Sequence, residues 1–296
     1  MFKFDRYDWN YTTNPYPKYN DYIDYVDSLL LPLNFKKEVI GKSADGQFNI
    51  YAYSKDLDKP VYWIDGTVHG SEWQSAYFPL DFIVEVWGDK HHNKLLTKAI
   101  RDNFGVHYIP SVSPYGFENV TYTNANGVNI NRQFDNYWEK ADANLEPFNP
   151  NYKGTSVLSE SEAKAFVDEF DKIKPYMVAN CHTTFGEASG MTIQRRHTHY
   201  LIQSMDAMNS LRLTYNEIGT TEWSSQYGPT IAGWCATQTS KEGTPVYSTV
   251  LESQGNTDKV NVGIPALYII AITMINWKNN EKMITNSIND ILSWPF

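Results

Sequence analysis

At 296 residues the chain is long enough for one large α/β domain or two small ones, and 42% hydrophobic against 20% charged residues suit a globular protein with a sizeable core. A net charge of −9 leaves no basic surface for phosphates and excludes a nucleic-acid partner; Arg195 and Arg196, beside His197 and His199, form the one local basic cluster. No apolar run approaches the roughly 20 residues of a membrane span, the N-terminus lacks a signal-peptide core, and Cys181 and Cys235 are too few for a disulfide framework, so a cytoplasmic protein with reduced thiols and no membrane partner is expected.

A proline-broken lead-in, residues 14–19, precedes a predicted helix over residues 20–31, with Tyr22, Ile23, Val26, Leu29 and Leu30 on one side and a stop at Pro32. Residues 35–41 and 48–53 predict an antiparallel hairpin whose turn, 43–47, has Asp45-Gly46 at its centre. Residues 61–64 are continuously apolar, as expected of a strand buried on both faces. The pattern breaks at Gly66, and His69 and Glu72 follow just past the strand end, where open α/β sheets bind ligands. Trp73, Tyr77, Leu80, Phe82, Ile83 and Val86 then recur at helical spacing. A second helix is predicted over 94–103 and a strand over 106–112. The polar, Asn- and Gly-rich stretch 113–154 is longer than an ordinary connection, which points to function. Ser159-Glu-Ser-Glu162 reads as a capping box for a helix ending near residue 173. Another buried strand, 176–180, leads into Cys181 and His182. A helix over 199–218, a second polar region over 219–243, a strand over 246–251 ending at Glu252, a helix over 264–279 and a smaller one after Lys282 complete the reading. The order predicts one α/β domain, residues 1–296, with a mixed, mostly parallel sheet flanked by helices.

Three strands thus end on residues able to do chemistry. Two histidines and a carboxylate, His69, Glu72 and His182, make a donor set suited to a catalytic zinc ion, which keeps a fourth position open. Glu252 offers a general base and then a general acid. Taken singly, His182 suits a hydrogen-bonded core position equally well, and Glu252 a pairing with Lys259. In the long stretch, Arg132 presents a planar fork matched to a carboxylate, and Asn131 adds a donor. Taken alone, Arg132 is better suited to an ordinary pairing with Asp135 or Glu139.

With these residues in view, the chain resembles the zinc metallocarboxypeptidases of the carboxypeptidase A type (peptidase family M14) over nearly its whole length. The matching stretches are Tyr19-Asn-Asp-Tyr-Ile-Asp-Tyr25, Ile40-Gly-Lys-Ser43 with Gly46, Gly66-Thr-Val-His69-Gly-Ser-Glu72-Trp73, Ser113-Pro-Tyr-Gly-Phe-Glu118, Gly127-Val-Asn-Ile-Asn-Arg-Gln-Phe134, His182 and Thr249-Val-Leu-Glu252. The resemblance implies one zinc ion on His69, Glu72 and His182, a zinc-activated water with Glu252 as general base and acid, and a peptide substrate whose free C-terminal carboxylate is gripped by Asn131 and Arg132. It implies a substrate-capping tyrosine upstream of Glu252, for which Tyr227 is the candidate. No activation peptide precedes the matching stretches in this sequence, so an enzyme that needs no proteolytic release is expected.

The chain departs from the family pattern at three places. Ser71 stands where the family usually has an arginine, and Asn129 replaces an aspartate. No Arg or Lys lies between Arg101 and Arg132, where an arginine usually stabilises the oxyanion, and Tyr122 sits near that place. Arg195 or Arg196 could substitute from another loop. Two other functions stay open: an N-acyl amino-acid deacylase of the aspartoacylase and succinylglutamate desuccinylase type, and a catalytically weak carboxypeptidase-like binding module.

Overall fold

The computed structural model describes residues 18–142, 144–184, 190–194, 214–218, 228–254 and 263–292. Among the described residues eight strands form one mixed sheet: β1 (Lys36–Lys42), β2 (Asn49–Lys55), β3 (Val61–Asp65), β4 (Gly105–Ile109), β5 (Met177–Thr184), β6 (Gly190–Gln194), β7 (Thr214–Ile218) and β8 (Tyr247–Gln254). Their spatial order is β1-β2-β4-β3-β5-β8-β6-β7. Pairing is parallel from β4 through β3 and β5 to β8, and antiparallel in the hairpin β1–β2, between β2 and β4, and between β6 and β8. The expected mixed sheet with a parallel centre is thus the observed one.

The apolar run of β3 is buried at all five positions. Its period of two divides it between two cores. Tyr62 and Ile64 pack under the helices Tyr19–Leu30, Gln74–Trp87 and Gly263–Leu292, whereas Val61 and Trp63 face Phe166 and Phe170 of the helix Ser161–Ile173. Fully burying a side chain of this size contributes about 1.5–3 kcal/mol, so the centre of the sheet is where the fold is held most firmly. The chain leaves β3 for β4 on one side and returns to β5 on the other, which makes the C-terminal end of β3 a topological switch point.

Three expectations change. Residues 214–218 form β7, paired in parallel with β6, so the predicted helix over 199–218 does not reach its end; its remainder lies outside the described residues. Tertiary pairing overrides the local pattern there. The helices predicted over 264–279 and beyond Lys282 are one helix, Gly263–Leu292. No helix among the described residues is long and apolar enough to cross a membrane. The expected capping box is not formed. Ser159 Oγ donates instead to Gln133 Oε1 at 3.2 Å, and Glu162 accepts from the Ala44 backbone N–H at 2.9 Å and from Asn124. Both side chains tie the helix start to neighbouring loops.

Candidate metal and catalytic site

The turn after β3 is held tightly. Thr67 adopts φ 42°, an unusual conformation for a β-branched residue, and is fixed by bonds to Ser75 Oγ, the Pro110 carbonyl and the Ser113 N–H. At Gly70 a Cβ would lie 1.8 Å from the Gly116 carbonyl carbon, so only glycine lets the His69 loop lie against the 113–121 segment. The Ser71 N–H donates to the Thr121 carbonyl at 3.0 Å across the same contact.

This turn delivers His69 and Glu72 to the end of β5, where His182 sits beside Glu252 of β8 in the strand register. One ligand atom from each of His69, Glu72 and His182 lies within 4.8 Å of the others, and all three residues are buried. The two carboxylate oxygens of Glu72 are divided between the rings, Oε1 to His69 Nδ1 and Oε2 to His182 Nδ1, each at 2.9 Å.

The outer nitrogens decide the tautomers. Asn129 donates its Nδ2 to the Pro150 carbonyl at 2.7 Å, which turns its Oδ1 to His69 Nε2 at 3.2 Å. Asn180, two residues before His182 and on the same face of β5, donates to Asp65 and turns its Oδ1 to His182 Nε2 at 2.8 Å. Both Nε2 atoms are therefore the N–H donors. Each Nδ1 then faces a carboxylate oxygen of Glu72 at 2.9 Å, a contact that needs a proton or a metal ion between the two atoms. A proton or a metal ion must share this space, and the ligand set is one that suits zinc.

The electrostatics agree. Burial alone would raise the Glu72 carboxyl, but the two histidines outweigh it and bring its pKa down to about 2. Burial lowers His69. At His182 burial acts the same way, yet the charge and hydrogen bond of Glu72 prevail and lift the ring to about 9. Burial of Asp65 between strands raises it to about 7, against the pull of Asn180, His182 and the Trp63 indole. Glu252 is half-buried; desolvation lifts its carboxyl, His182 opposes and Glu72 adds to the rise.

Asn131 and Arg132 lie on a short turn, Ile130–Arg132, beside the histidines. The Asn131 Oδ1 accepts from the Ile231 N–H at 2.8 Å, and its Nδ2 is 3.5 Å from His182 Nε2. Arg132 donates to the Asn131 carbonyl at 2.9 Å and to Asn151 Oδ1 at 3.2 Å. Among the described residues it has no carboxylate partner, so neither Asp135 nor Glu139 takes the pairing that local sequence allowed. Its guanidinium forms part of a cavity of about 310 Å³ shared with Asp142, Leu145, Asn149, Asn151 and Pro229. A desolvated cation without a counter-ion is a ready anion site.

Tyr122 stacks on His69, with ring centroids 3.7 Å apart and planes 19° from parallel. Burial raises its phenol well above the ordinary value, Glu72 and Glu252 add to this, and Arg132 opposes. Tyr227, Arg195, Arg196 and Lys259 lie outside the described residues. The partners that sequence reasoning missed are Asn180 and Asp65. Their signals were the i, i+2 spacing of Asn180 from His182 and the carboxylate ending a buried strand next door.

A sequence model of the zinc carboxypeptidases matches residues 25–288. The chain belongs to this family. It is 27% identical to carboxypeptidase A1 of Mus musculus over 178 residues, 54% of this chain and 42% of that protein. It is 30% identical to carboxypeptidase B of Helicoverpa zea over 132 residues, 38% of this chain and 29% of that protein. The chain therefore spans less than half the length of these curated relatives. The crystal structure of thrombin activatable fibrinolysis inhibitor shares the fold, with a TM-score of 0.73 at 18% identity over 88% of this chain and 75% of that one.

Proposed function

We propose that the chain is a zinc-dependent carboxypeptidase acting as one catalytic domain, with a peptide bearing a free C-terminal carboxylate as substrate. The observation that carries this reading is the convergence of His69, Glu72 and His182, their ligand atoms within 4.8 Å of one another and Glu72 facing both Nδ1 atoms at 2.9 Å, beside an Arg132 that has no counter-ion among the described residues. His69, Glu72 and His182 would hold zinc, which when bound supplies a Lewis acid that polarises the scissile carbonyl and acidifies water.

The chain's own residues do the rest. Arg132 takes the terminal carboxylate in its fork and Asn131 adds an amide donor, so the last peptide bond is placed beside Glu252. A mid-chain segment has no carboxylate to offer, which restricts the reaction to the terminus. Glu252 accepts a proton from the attacking water and returns it to the departing amine nitrogen. Its raised carboxyl suits both halves of that exchange, since a stronger acid would be a poor base. The cavity beside Arg132 would receive part of the terminal residue.

Mass spectrometry of a mixed peptide library with varied C-terminal residues, with and without a zinc chelator, tests the reading. Chelator-sensitive loss of single C-terminal residues supports it. No trimming of peptides, but release of carboxylic acid from N-acyl amino acids, would instead support the deacylase. Stoichiometric zinc without turnover of either would leave a binding module.

A further inference from the structure

The family's usual oxyanion arginine is missing, and among the described residues Arg132 is the one cation of the site, committed to the Asn131 carbonyl and Asn151. The place next to the first metal ligand is taken by Tyr122. Its ring lies flat on His69 and its backbone is pinned, because the preceding Thr121 carbonyl accepts from the Ser71 N–H at 3.0 Å and Thr121 N–H donates to the Gly116 carbonyl at 2.9 Å. Its phenol is acted on by the charges of Glu72, Arg132 and Glu252 together. The stack on His69 sets the ring against the metal ligands. With the terminal carboxylate of a substrate on Arg132, its scissile carbonyl would lie over the metal ligands, beside this ring. The hydroxyl has no hydrogen-bond partner among the described residues, although the ring is half-buried. A half-buried phenol fixed by stacking and backbone, with its donor unspent, is preorganised for an acceptor that arrives with the substrate.

We propose that the Tyr122 hydroxyl donates the hydrogen bond that stabilises the scissile carbonyl oxygen as negative charge builds on it, in place of the absent arginine. This rests on the carboxypeptidase reading. A phenol carries no formal charge, so it favours the developing oxyanion over the neutral carbonyl without gripping the substrate's own carboxylate. Tyr122 is thereby separated in role from Arg132, which binds ground state and transition state alike.

The test compares zinc-loaded wild type with Tyr122→Phe, which keeps the stacked ring and removes the donor. Calorimetric binding of a phosphonate dipeptide analogue, a tetrahedral anion, is set against that of a product-like N-acyl amino acid with a plain carboxylate. Tyr122→Phe is expected to weaken the phosphonate at least tenfold and to lower kcat by about 10²-fold. KM, the product-like ligand and zinc content should stay within about threefold. Equal loss for both ligands would reduce Tyr122 to a packing role and overturn the proposal, as would an unchanged kcat and phosphonate affinity. A wild-type protein that neither trims peptides nor binds the phosphonate would overturn the carboxypeptidase reading itself, and this proposal with it.

Discussion

Replacing Asn180 with leucine isolates the part of the site that sequence motifs do not mark. One amide serves two buried partners, accepting from His182 Nε2 at 2.8 Å and donating to Asp65. Leucine fills similar space and offers neither bond. A buried polar group left without a partner costs about 1–3 kcal/mol. Asp65 has an escape, because its pKa is already raised to about 7 and it can bind a proton near neutral pH. The stability cost therefore falls mainly on the His182 N–H, about 1–3 kcal/mol in the metal-free protein. The freed ring can also turn away from Glu72, and loss of such an orienting partner lowers metal affinity about 10–100-fold, or about 1.4–2.7 kcal/mol. Zinc competition against a metallochromic chelator measures the affinity directly. Urea unfolding with and without zinc checks it independently, since the stabilisation by zinc should shrink by the same amount. A zinc Kd within threefold of wild type, in a variant with a native circular dichroism spectrum, would refute the idea that Asn180 orients His182.

Glu252→Gln should lower kcat by about 10²–10⁴-fold while zinc stays stoichiometric by metal analysis, and persisting hydrolysis would place the general base elsewhere. Arg132→Ala should raise KM about 10–100-fold for peptides with a free C-terminus and leave cleavage of C-terminal amides, if any, unchanged; an unaltered KM removes Arg132 from carboxylate recognition. His107 is buried against Trp63, takes a hydrogen bond with Ser54 at 2.8 Å, and is held neutral by burial, its pKa lowered from 6.5 to about 3. The unfolded chain binds this proton first, so its contribution is full above pH 6.5 and is lost as pH falls towards 3, about 2 kcal/mol by pH 5. Urea unfolding of His107→Gln between pH 7 and 5 should show a slope smaller by that amount, and equal slopes would exclude the account.

Elements with an unambiguous period were legible at once. The buried run of β3, the helix after Glu72 and the helix Lys94–Asn103 stand where their apolar spacing predicted them. Residues 214–218 were not, because a short polar-flanked segment takes the conformation of its neighbour β6, which single-sequence patterns cannot see. The capping box failed for a related reason. Ser159 and Glu162 have the right spacing, but Gln133, Ala44 and Asn124, all distant in sequence, compete for the same oxygens and win. His69, Glu72, His182 and Glu252 stood out as candidates because the apolar runs break at or just before them, although β5 and β8 continue two residues past His182 and Glu252. Tyr122 was noticed only for what it replaced, since stacking on His69 depends on how the 113–121 segment folds back over Gly70.

The asparagine at 129 shows how such a loop constrains the chemistry it surrounds. Its Nδ2 donates to the Pro150 carbonyl at 2.7 Å while its Oδ1 accepts from both His69 Nε2 and the Asn131 N–H. An aspartate, the residue usual in the family, would set a carboxylate oxygen against the Pro150 carbonyl at that distance, and two oxygens there repel. The path of residues 149–152 therefore selects the amide. Asn180 does the same for His182, so both rings lean on dipoles rather than on charges. A carboxylate partner pushes electron density onto a histidine and makes it a stronger ligand; an amide pushes less. A zinc ion held this way, as the proposed function requires, would keep more of its own charge for polarising the scissile carbonyl. Under the Tyr122 proposal that charge would act together with a neutral phenol donor in place of an arginine.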